Sequence, residues 1–257
     1  MTRPAYYNEF DPFAAQWLRN LIDAGHLPGG DVDERSICDV SPDDLRGYGQ
    51  FHFFAGIGGW PLALRMVGIP DDAPVWTGSC PCQPFSAAGK QQGRDDGRHL
   101  WPIFYSLICA GRPKYVFGEQ VAAAVAHGWL DDLQTDLEAQ GYAVGSVVLG
   151  AHSVGAPHIR QRLYWGAVAD TDDARLERWR GAGSECPVEQ PIGPPSLDRF
   201  WAQSELLECS DGKARHVEPG IFPLAHGVPG RVGRLRAYGN AIVPQVAAEF
   251  VRAFAAL

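Results

Sequence analysis

From Phe13 to Ile22 the apolar residues fall at helical spacing, with Phe13, Trp17, Leu18, Leu21 and Ile22 on one face. Asp11 and Pro12 make a favourable start, because Asp can cap and Pro is tolerated in the first turn, and Gly25 ends the run. Ahead of it Ala5-Tyr6-Tyr7 reads as a short strand. Beyond the turn-rich Leu27-Pro28-Gly29-Gly30, Ser36–Val40 reads as a second one. Residues 1–45 are therefore expected as strand, helix, strand. The apolar run Phe51–Ala55 breaks on Gly56-Ile57-Gly58-Gly59 into a helix from Pro61 to Val67, closed by Gly68. A strand that breaks on glycines into a helix is a nucleotide-type βα unit. Pro74–Thr77 reads as a strand, Gly78–Gly97 as a long glycine-bearing loop, and Leu100–Ala110 as a helix. Tyr115–Gly118 reads as a strand and Trp129–Gln140 as a helix ending at Gly141. Tyr142–Leu149 and Leu163–Val168 read as strands flanking a Gly-Ala-Pro turn. Periodicity dissolves after Asp170, so residues 171–226 are expected to form a small, loop-rich insert. Regularity returns at Gly239, and Val246, Phe250, Val251 and Phe254 mark an amphipathic C-terminal helix. This alternation predicts an α/β fold with a mostly parallel sheet.

Composition narrows the picture by exclusion. The 257 residues contain no apolar run of the roughly 18 needed to span a membrane. Met1–Phe10 also lacks the charged-then-apolar pattern of a signal peptide. Six cysteines (Cys38, Cys80, Cys82, Cys109, Cys186 and Cys209) are unevenly spaced, and Cys80-Pro81-Cys82 is too tight for a zinc knuckle. No metal site and a reducing, cytoplasmic setting are expected. A net charge of −8 argues against a generic nucleic-acid coat, but local contact depends on where the arginines sit.

Several short constellations carry possible chemistry. Phe54-Ala55-Gly56-Ile57-Gly58-Gly59 follows a strand and opens a helix, where glycines let a bound cofactor approach the backbone; alone, it is equally a tight turn. In Pro81-Cys82-Gln83-Pro84-Phe85-Ser86 a cysteine beside proline, at a strand's end, is set up for exposure and for thiolate chemistry. A lone cysteine is otherwise an inert small hydrophobe, the reading that Cys80 and Cys109 keep. Glu119 stands at the ligand-binding end of its strand, where partial desolvation would let it act as an acid; taken singly it is a surface carboxylate. Arg160 and Arg162 alternate onto one face, able to grip a carboxylate, a phosphate or a base carbonyl, unless they simply line a solvated edge. Arg231, Arg234 and Arg236, spaced by Gly233, form the densest basic segment, a phosphate contact or a plain loop.

The order of these motifs decides. Phe54–Gly59, Pro81–Gln83, Glu119–Val121, Arg160–Arg162 and Gly239–Pro244 together resemble the DNA cytosine-5 methyltransferase family. The resemblance covers most of the chain outside residues 171–226. It implies a Rossmann-like methyltransferase fold, S-adenosyl-L-methionine as cofactor and double-stranded DNA as partner. It further implies a catalytic domain over 1–170, target recognition in 171–226 and a return to the catalytic domain over 227–257.

The resemblance also assigns roles. Cys82 would attack C6 of a cytosine flipped out of the duplex, Glu119 would protonate the N3 side, Arg162 would hold O2 and Arg160 would support the same loop. The cofactor would lie on Phe54, Ala55, Gly56, Ile57, Gly58 and Gly59, with Glu9 on the ribose hydroxyls and Phe10 against the adenine. Ser36, Ile37, Ser79, Asn240 and Ala241 would complete that pocket, and Gln83, Ser86, Arg231, Arg234 and Arg236 would meet DNA.

Two departures stand out. The strand–helix–strand that normally follows the glycine motif is missing at that place, whereas Asn8-Glu9-Phe10-Asp11 and Ser36-Ile37-Cys38-Asp39-Val40 resemble its motifs. A unit displaced to residues 1–48, with Asp43–Gln50 as the new link, accounts for both, an order similar to that of phage-encoded members. The alternative is a true deletion with an unrelated N-terminal arm. Ser36 occupies the place of a family Asp, for which Asp31 or Asp39 could substitute, and His158 replaces a Gln. Rival readings are tRNA cytosine methylation on the same fold and a non-catalytic DNA- or cofactor-binding relative. A monomer is the default, and the recognition sequence and biological role stay open.

Overall fold

The computed structural model describes residues 4–81, 100–156, 158–169, 205–208, 214–217 and 239–255. Strand β1 (Ala5–Asn8) leads into helix α1 (Pro12–Asp23), whose first amides are capped by the Asp11 carboxylate, which accepts from Phe13 N and Ala14 N. Strand β2 (Gly30–Asp33) follows, then β3 (Gln50–Phe53), α2 (Gly59–Met66) and β4 (Val75–Gly78). The chain continues through α3 (Trp101–Gly111), β5 (Tyr115–Val121), α4 (Trp129–Ala139), β6 (Tyr142–Gly150) and β7 (Gln161–Ala169). Strands β8 (Glu205–Glu208) and β9 (Ala214–Val217) pair antiparallel within the expected insert, and α5 (Pro244–Ala255) is the C-terminal helix.

The main sheet has seven strands in the order β2-β1-β3-β4-β5-β7-β6. Neighbours from β2 through β5 are parallel, and β7 runs antiparallel to both β5 and β6. The chain first steps outward from β1 to β2, then crosses back over β1 and builds β3, β4 and β5 in the other direction. That reversal opens a crevice at the carboxyl ends of β1, β3 and β4, where open α/β sheets hold ligands.

Both sheet faces are covered. On one, α1 packs Leu18 against Ala5 and Tyr7, while α2 and α5 bury Leu64, Val246 and Val251 with Val75, Phe117 and Tyr164. On the other, α3 and α4 bring Phe104, Trp101 and Leu133 onto Phe53, Trp76, Val116 and Trp165. These parallel strands are buried on both faces, which is why β1, β3 and β4 are uninterrupted runs of buried residues rather than alternating ones.

One expected strand is wrong. Ser36–Val40 is not extended: Ile37–Asp39 is a turn of 3-10 helix, with Ser36 Oγ accepting from Cys38 N at 3.3 Å. Ile37 and Val40, both buried, stand three apart, the repeat of that turn rather than of a pleat. The outer strand lies earlier, beginning at Gly30, the last residue of the stretch read as a turn. There Gly30 approaches β1 so closely that a Cβ would sit 2.0 Å from Ala5 O. Strand β5 is also longer than expected, because pairing with β7 carries it through Glu119↔Tyr164 to Val121↔Arg162.

A polar group is built into the middle of the sheet. His52 is fully buried, stacks on Tyr7 at 5.1 Å, and sits 2.8 Å from Thr77 Oγ1 and 2.9 Å from Gln50 Oε1. Gln50 Oε1 only accepts, so His52 Nε2 carries the proton and Nδ1 accepts from the Thr77 hydroxyl. Burial holds the imidazole neutral, pushing its pKa down to about 3.

Candidate active site

The crevice holds a cavity of about 680 Å³. Asn8–Asp11 and Ser36–Cys38 line one end, and Ser79–Pro81, Glu119–Val121 and Arg162 the other. Phe54–Ile57, Gly59 and Trp60 form its floor, and Asn240–Ile242 close one side. Phe54, just after β3, has φ at 51°, a left-handed conformation rare for a bulky residue, which turns the chain sharply into the glycine bend. Gly58 stands behind the lining at the start of α2, against Leu27 and Leu18.

At the first end, the N-terminal unit is fastened to the glycine bend by a carboxylate. Glu9 Oε2 accepts from Gly56 N at 2.7 Å and Oε1 from Asp11 N at 2.8 Å, and Ala55 N donates to Asn8 O at 3.0 Å. An ionised carboxylate is an acceptor only, the character that a hydroxyl-bearing ligand requires of a partner. Beside it the Phe10 ring is 71% exposed, a large apolar face at the cavity mouth. Of the acids considered as substitutes at Ser36, Asp31 lies on outer strand β2 and accepts from Tyr48 at 2.7 Å, and neither it nor Asp39 lines the cavity.

At the other end Glu119 is the central group. It is buried, with Arg162 Nε 2.8 Å from its Oε1, an ion pair off the hydrogen-bond line that leaves Oε1 without an aligned donor. Desolvation pushes the Glu119 carboxyl up to about 7, against the lowering pull of Arg162 and Arg160. The group thus exchanges its proton near neutral pH, as a general acid must. Ser79 Oγ fixes its backbone, accepting from Glu119 N at 3.2 Å and from Trp60 Nε1 at 2.9 Å. Gln120 Nε2 donates to Cys80 O at 3.2 Å, which anchors the chain just ahead of Pro81 and Cys82.

The two arginines part company. Arg162 faces Glu119, whereas Arg160 donates to Gly239 O at 2.9 Å and Ala241 O at 2.7 Å. Of the other residues singled out from the sequence, Glu9, Phe10, Ser36, Ile37, Phe54–Ile57, Gly59, Ser79, Asn240 and Ala241 converge on this one cavity. Cys82, Gln83, Ser86, Arg231, Arg234 and Arg236 lie outside the described residues. Trp60, Gln120 and Ile242 were not anticipated. Trp60 and Gln120 adjoin motif residues, but no spacing rule marks their side chains as part of a site. Among the described residues no cluster of His, Cys, Asp and Glu could hold a metal, and no helix is long and apolar enough to cross a membrane.

The fold and cavity define a Rossmann-like α/β protein with a ligand site at the switch point of its sheet. Residues 68–180 match the family model described as C-5 cytosine-specific DNA methylase. It is similar to the type II methyltransferase M.AplI of Arthrospira platensis, 34% identical over 92 residues that cover 35% of this chain and 27% of the relative. M.BanI of Aneurinibacillus aneurinilyticus is 39% identical over 165 residues, covering 57% of this chain and 38% of that protein. The chain thus spans well under two thirds of the length of these curated relatives. Among solved structures it is similar to a Spodoptera frugiperda DNMT2 mutant, at a TM-score of 0.46 and 15% identity over 65% of this chain and 42% of that one.

Proposed function

We propose that this protein transfers a methyl group from S-adenosylmethionine to C5 of cytosine in duplex DNA. The observation that carries this reading is the placement of Glu119: a buried carboxyl with its pKa near 7 opens into the same cavity as Glu9 and the glycine bend. The residues fit the cofactor. The cavity is in the size range of a nucleoside ligand, Glu9 lines it with an acceptor carboxylate of the kind ribose hydroxyls need, and Phe10 offers a flat apolar face for adenine. When bound, S-adenosylmethionine supplies the methyl group.

The chain's own groups prepare the base. The Cys82 thiolate adds to C6 while Glu119 gives its proton to N3, so that the electron pair released from the C5–C6 double bond makes C5 nucleophilic. Arg162 holds O2 and keeps the ring in the plane that Glu119 addresses. After methylation C5 gives its proton to water, the C6–sulfur bond breaks with the electron pair returning to sulfur as thiolate, and Glu119 recovers its proton from N3. Cytosine must leave the stack for this, because C6 is covered inside a duplex.

The reading includes a displaced unit, residues 1–48, standing ahead of the glycine motif. Its support is the pairing of β1 with β3 on the side away from β4, and the Glu9–Gly56 bond across 47 residues of sequence. Residues 171–226 would then read the DNA sequence.

Incubation with labelled S-adenosylmethionine tests the proposal. Label is expected at C5 of cytosine in mixed-sequence duplex DNA and not in tRNA; label in tRNA alone overturns the DNA assignment, and label in neither overturns the activity. Because the net charge is −8, binding must come from locally clustered arginines. With about four phosphates neutralised, affinity for DNA is expected to fall about a hundredfold between 50 and 200 mM salt. A flat salt response counts against a phosphate-tracking arginine cleft.

A further inference from the structure

We infer that Arg160 is a positioning residue of the cofactor cavity: its guanidinium holds the Gly239–Ala241 wall in place, while its neighbour Arg162 alone serves the base. The inference rests on reading the cavity as a cofactor site, but its key measurement requires no DNA.

The geometry separates the two arginines. Arg160 sends Nη1 to Gly239 O at 2.9 Å and Nη2 to Ala241 O at 2.7 Å, partners 79 and 81 residues away in sequence. Its own backbone is fixed as well, since Ala151 N donates to Arg160 O at 3.2 Å. A planar fork can bridge two carbonyls of one segment, and a lysine ammonium at the same place can reach only one of them well. With Asn240 and Ala241 both lining the cavity, the fork sets the position of a wall and touches neither Glu119 nor the cavity's base end by hydrogen bond.

The wall has a second anchor. A Cβ on Gly59 would lie 2.5 Å from Ile242 Cγ1, so Ile242 is seated directly on the first residue of α2, the end of the glycine bend. Ile242 is buried in a cluster with Trp60, Leu64 and Val246. The segment 239–242 is thus pinned by charge-assisted hydrogen bonds from Arg160, the residue before β7, and from α2 by packing. Without the fork the wall keeps its apolar anchor and loses its register against the cofactor floor.

S-adenosylhomocysteine binding to the free protein, followed by calorimetry, is the first readout. Arg160→Lys is expected to weaken it about 10- to 100-fold, the loss of one or two charge-assisted hydrogen bonds. At saturating cofactor, kcat on duplex DNA should stay within about threefold of the parent, with an unchanged pH profile. Arg162→Lys should show the opposite split, with kcat lowered and S-adenosylhomocysteine affinity intact. Ile242→Ala, which loosens the same wall from its other anchor, should weaken S-adenosylhomocysteine as Arg160→Lys does, and it carries the test if Arg160→Lys does not fold. Parental affinity in Arg160→Lys, or in Ile242→Ala where Arg160→Lys does not fold, overturns the inference, as does a lowered kcat with affinity unchanged. If the parent protein itself binds no S-adenosylhomocysteine, the cofactor reading fails instead.

Discussion

Cys82→Ala is expected to lower methyl transfer to duplex DNA by on the order of 10⁴-fold or more, because in the proposed mechanism the Cys82 thiolate forms the C6 bond that activates C5. Binding of S-adenosylhomocysteine should be unaffected, since the proposed cofactor groups are Glu9, the glycine bend and the 239–242 wall. A second measurement looks at the bond itself. In DNA with 5-fluorocytosine at the target, C5 carries fluorine where a proton must leave, so the reaction stops with sulfur still on C6. The parent protein should give an adduct that survives denaturing electrophoresis, and Cys82→Ala none. An adduct formed equally by Cys82→Ala would assign the nucleophile to another residue. Of the other cysteines, Cys80 is buried, and desolvation raises its thiol well above the ordinary range, which makes it a poor nucleophile.

Glu119→Gln is expected to reduce kcat by about 10²- to 10⁴-fold, the usual contribution of a positioned general acid. In the parent, the protonated form prevails below pH about 7, so kcat should fall as pH rises through that value. The variant should show no such limb. An unchanged pH profile in the variant would remove Glu119 as the acid.

The same substitution makes a stability prediction of defined sign. The Glu119 pKa is raised from 4.5 to about 7 on folding, so its contribution is fully present below pH 4.5 and is lost as pH rises to about 7, about 3 kcal/mol in all. His52 acts in the other direction. Its pKa is lowered from 6.5 to about 3, so its contribution is present above pH 6.5 and is lost as pH falls toward 3. Between pH 4.5 and 6.5 the two slopes oppose each other, and the parent's stability should be nearly flat there. In Glu119→Gln the His52 slope is unopposed, and stability should climb by about 1.4 kcal/mol per pH unit over that window. Chemical denaturation at a series of pH values reads this directly. Parallel curves for parent and variant would mean that Glu119 titrates in the ordinary carboxylate range.

Much of this protein was legible from local pattern. Helical spacing located α1, α3, α4 and α5, the glycine break located the start of α2, and five short motifs in order pointed to the family that residues 68–180 match. Such features are encoded within a few residues, by the 3.6-residue repeat, by capping and by the conformations open to glycine, so a one-dimensional reading recovers them. The segment around residue 36 failed for the same reason. A segment this short carries too few positions for a period to be read, and only the close approach of Gly30 to Ala5 decides which segment becomes the outer strand.

The tertiary structure alone decided the rest. Glu119 is an ordinary carboxylate in sequence; burial between β4 and β7 moves its proton exchange to neutral pH, because desolvation depends on neighbours 40 or more residues away. Arg160 and Arg162 are equivalent in the sequence, two arginines on one face. In the fold one pairs with Glu119 and the other spans to Gly239 and Ala241, since those carbonyls reach the residue before β7 only when α5 packs against α2. The sequence by itself determined the helices, the glycine break and the residues that are candidates for the chemistry. Which of them share a cavity, and what each is bonded to there, was settled by contacts between distant segments, for which no local periodicity leaves a trace.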